Sequence, residues 1–380
     1  FVALADCDRP FLLRARQILE DFYGVKRNMP EQQGWKVVPV GQPAGVIAAY
    51  NDYRRLLENK DVDAVIAAVP DHWHAKVYID ALDAGKDVYG EKPLSLTVNQ
   101  GRHIARKVAE TGKIFQTGSQ QRSNYRFRKA CEYVRNGRLG KIRQVDIAIG
   151  GSGVTQAVPN TPPPPGLDWE MWLGPAPWAP YNEKRCHLSF RHFWDYSGGQ
   201  MTDWGAHHCD ICQWALGMDD SGPRFVEGTA VTKQPNYYET FTTFEIYLTY
   251  ANGVTAKLHS HGNDLKFIGE KGTITVNRGK LESDPKDILK KPLTNADIHL
   301  YESGDHMQNW LDCVKTRKQP ICPAAVGHRS VTLPHIANIC GKLGRKLEWD
   351  PVAERFVGDP EANSHLDREE RAPYHHMAGL

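Results

Sequence analysis

Residues 201–210, MTDWGAHHCD, bring together Asp203, His207, His208, Cys209 and Asp210, each able to bind a metal or carry a proton. A helix turns about 100° per residue, so Asp203, His207 and Asp210 would fall within roughly 60° of one another on such an element. His208 and Cys209 would point elsewhere, His208 packed beside the helix. The face that can act as a unit is a carboxylate, an imidazole and a second carboxylate. An imidazole whose ordinary pKa is about 6.5 can take or give a proton near neutral pH, so the pattern suits acid–base work, and what it acts on must come from the rest of the chain.

A metal site needs three or four converging ligands, and Asp203 with His207 supplies two. Cys209 and Cys212 make a C-x-x-C without a second pair, well inside the helix, so no metal or redox role is expected and the thiols read as buried and inert. Eight cysteines among 380 residues are no disulfide framework.

Two further stretches carry chemistry, PDHWH at 70–74 and GEKPLS at 90–95. Pro93 disfavours the helical region for Lys92, leaving its ammonium extended at a strand end, either solvated or in reach of a ligand. Thr97 and Gln100 then open a helix as a capping box. Arg185, His187, Arg191 and Trp194 precede the MTDWGAHHCD stretch, and either line a sugar pocket or belong to a solvated loop.

The elements that must position these groups differ between the two halves of the chain. FVALADCD reads as a strand, Pro10–Gly24 as a helix with proline at its start and glycine at its end, and residues 25–45 as a polar loop. Helix NDYRRLLENK, strand VDAVIAAVP, helix HAKVYIDALDAG, strand KDVYGE, helix TVNQGRHIARKVAETG and strand KIFQTG follow. Such alternation predicts a doubly wound parallel sheet of the Rossmann type.

Asp6 sits at a strand end, where an acid can hold an adenosine ribose 2′-hydroxyl and repel a 2′-phosphate, favouring NAD over NADP. The glycine-rich turn that should precede it is absent, so upstream residues carrying the first strand are expected.

After about residue 120 the pattern becomes extended: KIRQVDIAIGG, PRFVEGTAVTK, FTTFEIYLTY, VTAKLHSH, DLKFIGE and GTITVNRG, with Asn252–Gly253 marking a hairpin. This predicts an α+β domain with a large open, mainly antiparallel sheet, packed by helices over 125–136, 203–216 and 306–316. The proline-rich stretch 159–180 with its tryptophans predicts a packed loop, and residues from about 341 a surface arm. The expected division is 1–120, 121–340 and 341–380.

Charge is nearly balanced, +2 overall, which implies neither nucleic acid nor a membrane surface as partner. The 41% apolar content suffices for two cores, and no apolar run is long enough to span a bilayer.

With EKP closing a Rossmann-like half, WLGPAP in mid-chain and GGQMTDWGAHHCD opening a later helix, the sequence resembles the Gfo/Idh/MocA oxidoreductases, relatives of inositol dehydrogenase and glucose-fructose oxidoreductase. The resemblance runs nearly end to end. It implies NAD(P)-dependent oxidation of a sugar or cyclitol hydroxyl, with Lys92, Asp203 and His207 catalytic and Asp210 following in support. It also implies that Val69, Pro70, Asp71, His74, Glu91, Lys92 and Trp172 lie at the cofactor, joining Asp6. Arg185, Arg191 and Trp194, with Asp203 and His207, would meet the substrate.

The resemblance further implies a homo-oligomer through the open sheet. Export to the periplasm is preferred to the cytoplasm, because similar relatives with DYSGG and DWGAHH are often exported. Two rival readings remain, an NAD-dependent glycosidase that oxidises transiently, and a nucleotide-binding sensor.

Overall fold

The computed structural model describes residues 1–24 and 47–376. Most of the polar loop expected over 25–45 lies outside the described residues. In the N-terminal part five short strands, β1 (Ala3–Ala5), β2 (Ala48–Tyr50), β3 (Ala64–Ala67), β4 (Asp87–Gly90) and β5 (Phe115–Thr117), alternate with helices. β1 pairs in parallel with β2, and β3, β4 and β5 form a separate parallel set in that order. Among the described residues no ladder joins the two sets.

β2 escaped the sequence reading because three residues are too few to show a period. The helix Val98–Thr111 opens as expected, its Thr97 side chain accepting the Gln100 N–H at 3.2 Å, and ends at Gly112 in the left-handed conformation.

The second part is a nine-stranded sheet. It comprises β6 (Ile142–Ala148), β7 (Phe225–Val231), β8 (Thr243–Thr249), β9 (Thr255–His259), β10 (Leu265–Gly269), β11 (Gly272–Val276), β12 (Leu281–Asp284), β13 (Leu347–Asp350) and β14 (Arg355–Phe356). The order is β12-β11-β10-β6-β9-β8-β7-β13-β14, antiparallel throughout except for β6 beside β9. Alternation along β8 buries Phe244, Ile246 and Leu248 and leaves Glu245 and Tyr247 on the other face. The buried face packs against the helices Tyr125–Arg135, Gln200–Leu216 and Ala324–Leu343.

Three differences from the sequence reading have physical causes. Ala324–Leu343 was not expected as a helix: it contains Pro334 and is buried on nearly all sides, so it shows no polar face. Gln200–Leu216 begins three residues before Asp203, after the cap residue Gly199 with φ +71°, which places Asp203 in the first turn. The chain after 341 is only partly an arm, since helix Ala324–Leu343 runs through its start and β13 extends the sheet beside β7.

From Leu366 onward the chain crosses back to the N-terminal part, where the Asn99 N–H donates to the Leu366 carbonyl at 3.0 Å and Gln100 to Glu370 at 2.8 Å. The proline-rich stretch is packed against the chain start: Arg9 N–H donates to the Gly166 carbonyl at 3.0 Å and Asp168 N–H to that of Cys7 at 3.0 Å.

Candidate active site

Two turns at the carboxyl ends of β3 and β4 face the start of helix Gln200–Leu216. The first, Asp71–Trp73, follows Pro70, and its three side chains are buried. His72 Nε2 lies 2.9 Å and Trp73 Nε1 3.0 Å from the Trp172 carbonyl oxygen, so this turn is tied to the WLGPAP loop. The approach is close enough that a Cβ on Gly174 would stand 2.1 Å from the Trp73 ring, and Gly174 has φ +46°. Only glycine fits there. Trp172 itself stacks on Trp169 with ring centroids 4.7 Å apart, inside an aromatic box with His72 and Tyr196.

The second turn carries Glu91 and Lys92, and the Lys92–Pro93 peptide is cis. Glu91 is anchored through Gln120 at 3.0 Å and by the Lys92 N–H at 3.2 Å. His74 is 1% exposed, with Nδ1 2.6 Å from the Pro93 carbonyl oxygen and Nε2 2.9 Å from that of Val69. Burial pushes its pKa down to about 4, so the ring is neutral at pH 7 and can donate to one of those carbonyls. His74 therefore braces the two turns against each other. It is not open to a ligand, contrary to the expectation that it lies at the cofactor.

The Lys92 ammonium reaches across to the Asp203 carboxylate and lies 3.4 Å from the Asp203 main-chain oxygen. Asp203 stands in the first helical turn, where the macrodipole favours a negative charge. Arg191 approaches the same carboxylate at 3.5 Å and stacks over Phe190 at 4.8 Å. His207, one turn further, is 5% exposed and packs beside Trp204 at 5.9 Å, with no partner for Nδ1 among the described residues. Burial, and then the Lys92 charge, hold its pKa well below 6.5.

Asp71 closes the group from the side. Its carboxylate accepts the Ser197 hydroxyl at 2.6 Å, and burial raises its pKa to about 7, with Ser197 and Arg191 opposing the rise and Asp203 adding to it.

Asp210 does not join this constellation. Fully buried, it receives Arg122 Nε at 2.8 and 3.0 Å and the Ser330 hydroxyl at 2.7 Å, while the rest of the Arg122 fork binds Asp219 at 2.7 and 3.0 Å. Helical phase aligned Asp210 with Asp203 and His207, but nearly two turns on the same helix face meets Arg122 instead.

Arg185 and Trp194 form a neighbouring cluster. The Arg185 guanidinium lies over Phe193 at 4.5 Å and 3.7 Å from Glu239, and the Trp194 indole donates to the Glu239 carbonyl at 3.1 Å beneath Lys342. Neither has a direct contact with Asp203 or His207.

Sequence reasoning also missed Ser197, Gln121 and Arg278. Gln121 is 2% exposed, with neither side-chain amide atom partnered among the described residues. Arg278, on the turn between β11 and β12, lies over Trp204 at 4.6 Å. A serine, a glutamine and a turn arginine carry no spacing signal that would single them out.

Residues 140–376 match the family model for the Gfo/Idh/MocA oxidoreductase family, C-terminal alpha/beta domain, and residues 36–119 match the family's NAD-binding Rossmann fold. The chain belongs to the Gfo/Idh/MocA oxidoreductase family.

It is 26% identical over 328 residues to scyllo-inositol 2-dehydrogenase (NAD(+)) of Bacillus subtilis, covering 79% of this chain and 84% of that one. Among solved structures it shares its fold with the WlbA dehydrogenase of Bordetella pertussis in complex with NADH and UDP-GlcNAcA, at TM-score 0.64 and 17% identity, over 92% of this chain and 90% of that one. Aldose-aldose oxidoreductase of Caulobacter crescentus, complexed with glycerol, matches at TM-score 0.63 and 18% identity over 92% and 91%.

The matched Rossmann fold is NAD-binding, ligands of such sheets sit beyond the carboxyl ends of the parallel strands, and the residues present there fit a dinucleotide. Asp6, just beyond β1, is exposed, and among the described residues its carboxylate accepts through Oδ1, from the Asp8 N–H at 2.8 Å, which leaves Oδ2 for a ribose hydroxyl. The orphaned Gln121 amide lies just past β5 at the same edge. The eight cysteines have no disulfide partner, all but Cys7 are buried, and among the described residues no group of three or more His, Cys, Asp or Glu could hold a metal.

Proposed function

We propose that this oxidoreductase interconverts a secondary hydroxyl and a carbonyl on a sugar, sugar derivative or cyclitol, with NAD preferred to NADP. The observation that carries the reading is the meeting of Lys92 from the β4 turn with Asp203 and His207 from the start of helix Gln200–Leu216. The nicotinamide supplies the hydride acceptor.

The chain's own residues handle the proton and the charge. His207, neutral because it is buried, takes the hydroxyl proton. Lys92 donates to the reacting oxygen and stabilises its developing negative charge. Asp203 fixes the ammonium and, with Arg191, borders the space for a neighbouring hydroxyl. An alternative in which Asp203 orients the imidazole loses support, since Asp203 makes its side-chain contacts with Lys92 and Arg191. Asp6 would hold the adenosine ribose, with Val69, Pro70, Glu91 and Trp172 framing the nicotinamide end.

Incubation of the purified protein with NAD and a panel of sugars and cyclitols tests this. Accumulating NADH with at least one of them is expected. Release of an aglycone from a glycoside without net NADH would replace the reading with a glycosidase, and nucleotide binding without any turnover would replace it with a sensor.

No helix among the described residues is long and apolar enough to cross a membrane. Self-association through the open face of the nine-stranded sheet and export to the periplasm complete the proposal, tested by sedimentation and cell fractionation.

A further inference from the structure

Arg278 is a cation at the edge of this site, with no ion-paired carboxylate among the described residues. It occupies the turn from Asn277 to Gly279, whose backbone is set by Asn277: Oδ1 accepts the Gly279 N–H at 2.9 Å, and Nδ2 donates to Asp264 at 2.7 Å. The Arg278 side chain takes no part in holding that turn. Its guanidinium lies over the Trp204 ring at 4.6 Å, and Trp204 packs against His207 at 5.9 Å.

The nearby carboxylates have partners other than Arg278. Asp203 is already shared by Lys92 and Arg191, and its charge also acts on Arg278. Arg278 in turn is among the cations that disfavour a proton on His207. Lys92 and Arg278 thus both act on His207, while the Asp203 carboxylate is committed to Lys92 and Arg191 and the Asp71 carboxylate to Ser197. The residue is exposed overall. A guanidinium lying flat on an indole keeps the N–H donors along its edge free, and those donors form a planar fork.

We propose that Arg278, braced by Trp204, docks an anionic substituent of the substrate, a carboxylate or a phosphoryl group, so that the sugars acted on are acidic ones. This rests on the dehydrogenase reading above. Both oxyanions match the guanidinium fork with two parallel N–H···O bonds, whereas a neutral hydroxyl offers a single acceptor atom. Trp204 supplies the apolar wall beneath the fork and links it to the imidazole that takes the proton.

Calorimetric binding to the full chain with NADH present, where oxidation cannot proceed, tests the inference. Uronates and aldonates probe the carboxylate source, hexose phosphates the phosphoryl source, and the parent hexoses serve as reference. At least one acidic class should bind about tenfold or more tighter than its parent, a preference that shrinks with added salt. Arg278→Gln should abolish that preference without lowering the melting temperature, and Arg278→Lys should keep part of it. The class that binds tighter identifies the anion.

Parent sugars binding as tightly as acidic ones, no acidic sugar binding at all, or an Arg278→Gln variant that retains the preference would each overturn the proposal. The dehydrogenase reading fails by a different result, a bound sugar that leaves NAD unreduced.

Discussion

The Lys92 ammonium rests on the Asp203 carboxylate, so a residue at the end of a parallel strand is fixed by one in the first turn of a helix packed on the large sheet. That contact aims a positive charge at a defined place before substrate arrives, which is the arrangement that lowers a barrier with little reorganisation. Replacing Lys92 by Met should lower kcat by about 10²–10³-fold with a smaller change in KM, as for loss of one oxyanion donor. Asp203→Asn should lower it less, because the ammonium remains but is no longer held. Steady-state kinetics on both variants check the order; equal losses would mean that Asp203 touches the reacting atoms itself.

His207 is held neutral by burial and by Lys92. A depressed histidine stays deprotonated at lower pH than usual, so the acid limb of kcat/KM should lie below the ordinary histidine value of about 6.5. Lys92→Met removes the second cause, and the limb should then move to higher pH. His207→Ala should cost about 10²–10⁴-fold in kcat, the usual range for a lost general base. A limb that does not move in Lys92→Met would assign it to another group.

The fold and the grouping of residues at the candidate site were legible in part from local patterns. The strand and helix alternation, the extended lysine of EKP and the Asp203–His207 spacing each depend on a few adjacent residues, which is what a single sequence displays. What was not legible depended on distant partners. Helix Ala324–Leu343 is wrapped on nearly all sides, so it has no apolar stripe to announce it, and Pro334 argues against it locally. Phase along Gln200–Leu216 put Asp210 on the face of Asp203 and His207, but phase says nothing about what packs against each turn. The resemblance put His74 of PDHWH at the cofactor, and the carbonyls of Val69 and Pro93 that enclose it are invisible in a residue pattern.

Asp210 gives that lesson a measurement. Its carboxylate neutralises the fully buried Arg122 together with Asp219, and Arg122 also lies over Trp214 at 5.0 Å. Without Asp210 the guanidinium keeps Asp219 but its buried Nε and the Ser330 hydroxyl lose their acceptor, so Asp210→Ala should destabilise the fold, by at most about 3–5 kcal/mol. Activity per folded molecule should change little, in contrast to His207→Ala. Denaturant unfolding and kinetics at a permissive temperature, measured on the same preparation, separate the two effects. A full loss of turnover with unchanged stability would give Asp210 a part in catalysis instead.

Asp71 makes the opposite kind of statement about pH. It is 4% exposed, and burial raises its carboxyl from the usual 3.8 to about 7. Between those two values the folded chain holds a proton that the unfolded chain has released, so the contribution of Asp71 to stability falls as pH rises through the window. Each pH unit costs about 1.4 kcal/mol, and the loss levels off once the folded-state carboxyl has ionised as well. Asp71→Asn keeps an oxygen for the Ser197 hydroxyl and removes the titration. The difference in unfolding free energy, wild type minus variant, should therefore decline from about pH 4 to about pH 7 and be flat above. Urea unfolding at a series of pH values measures it, and a difference that does not vary with pH would show that Asp71 keeps an ordinary carboxylate pKa despite its burial.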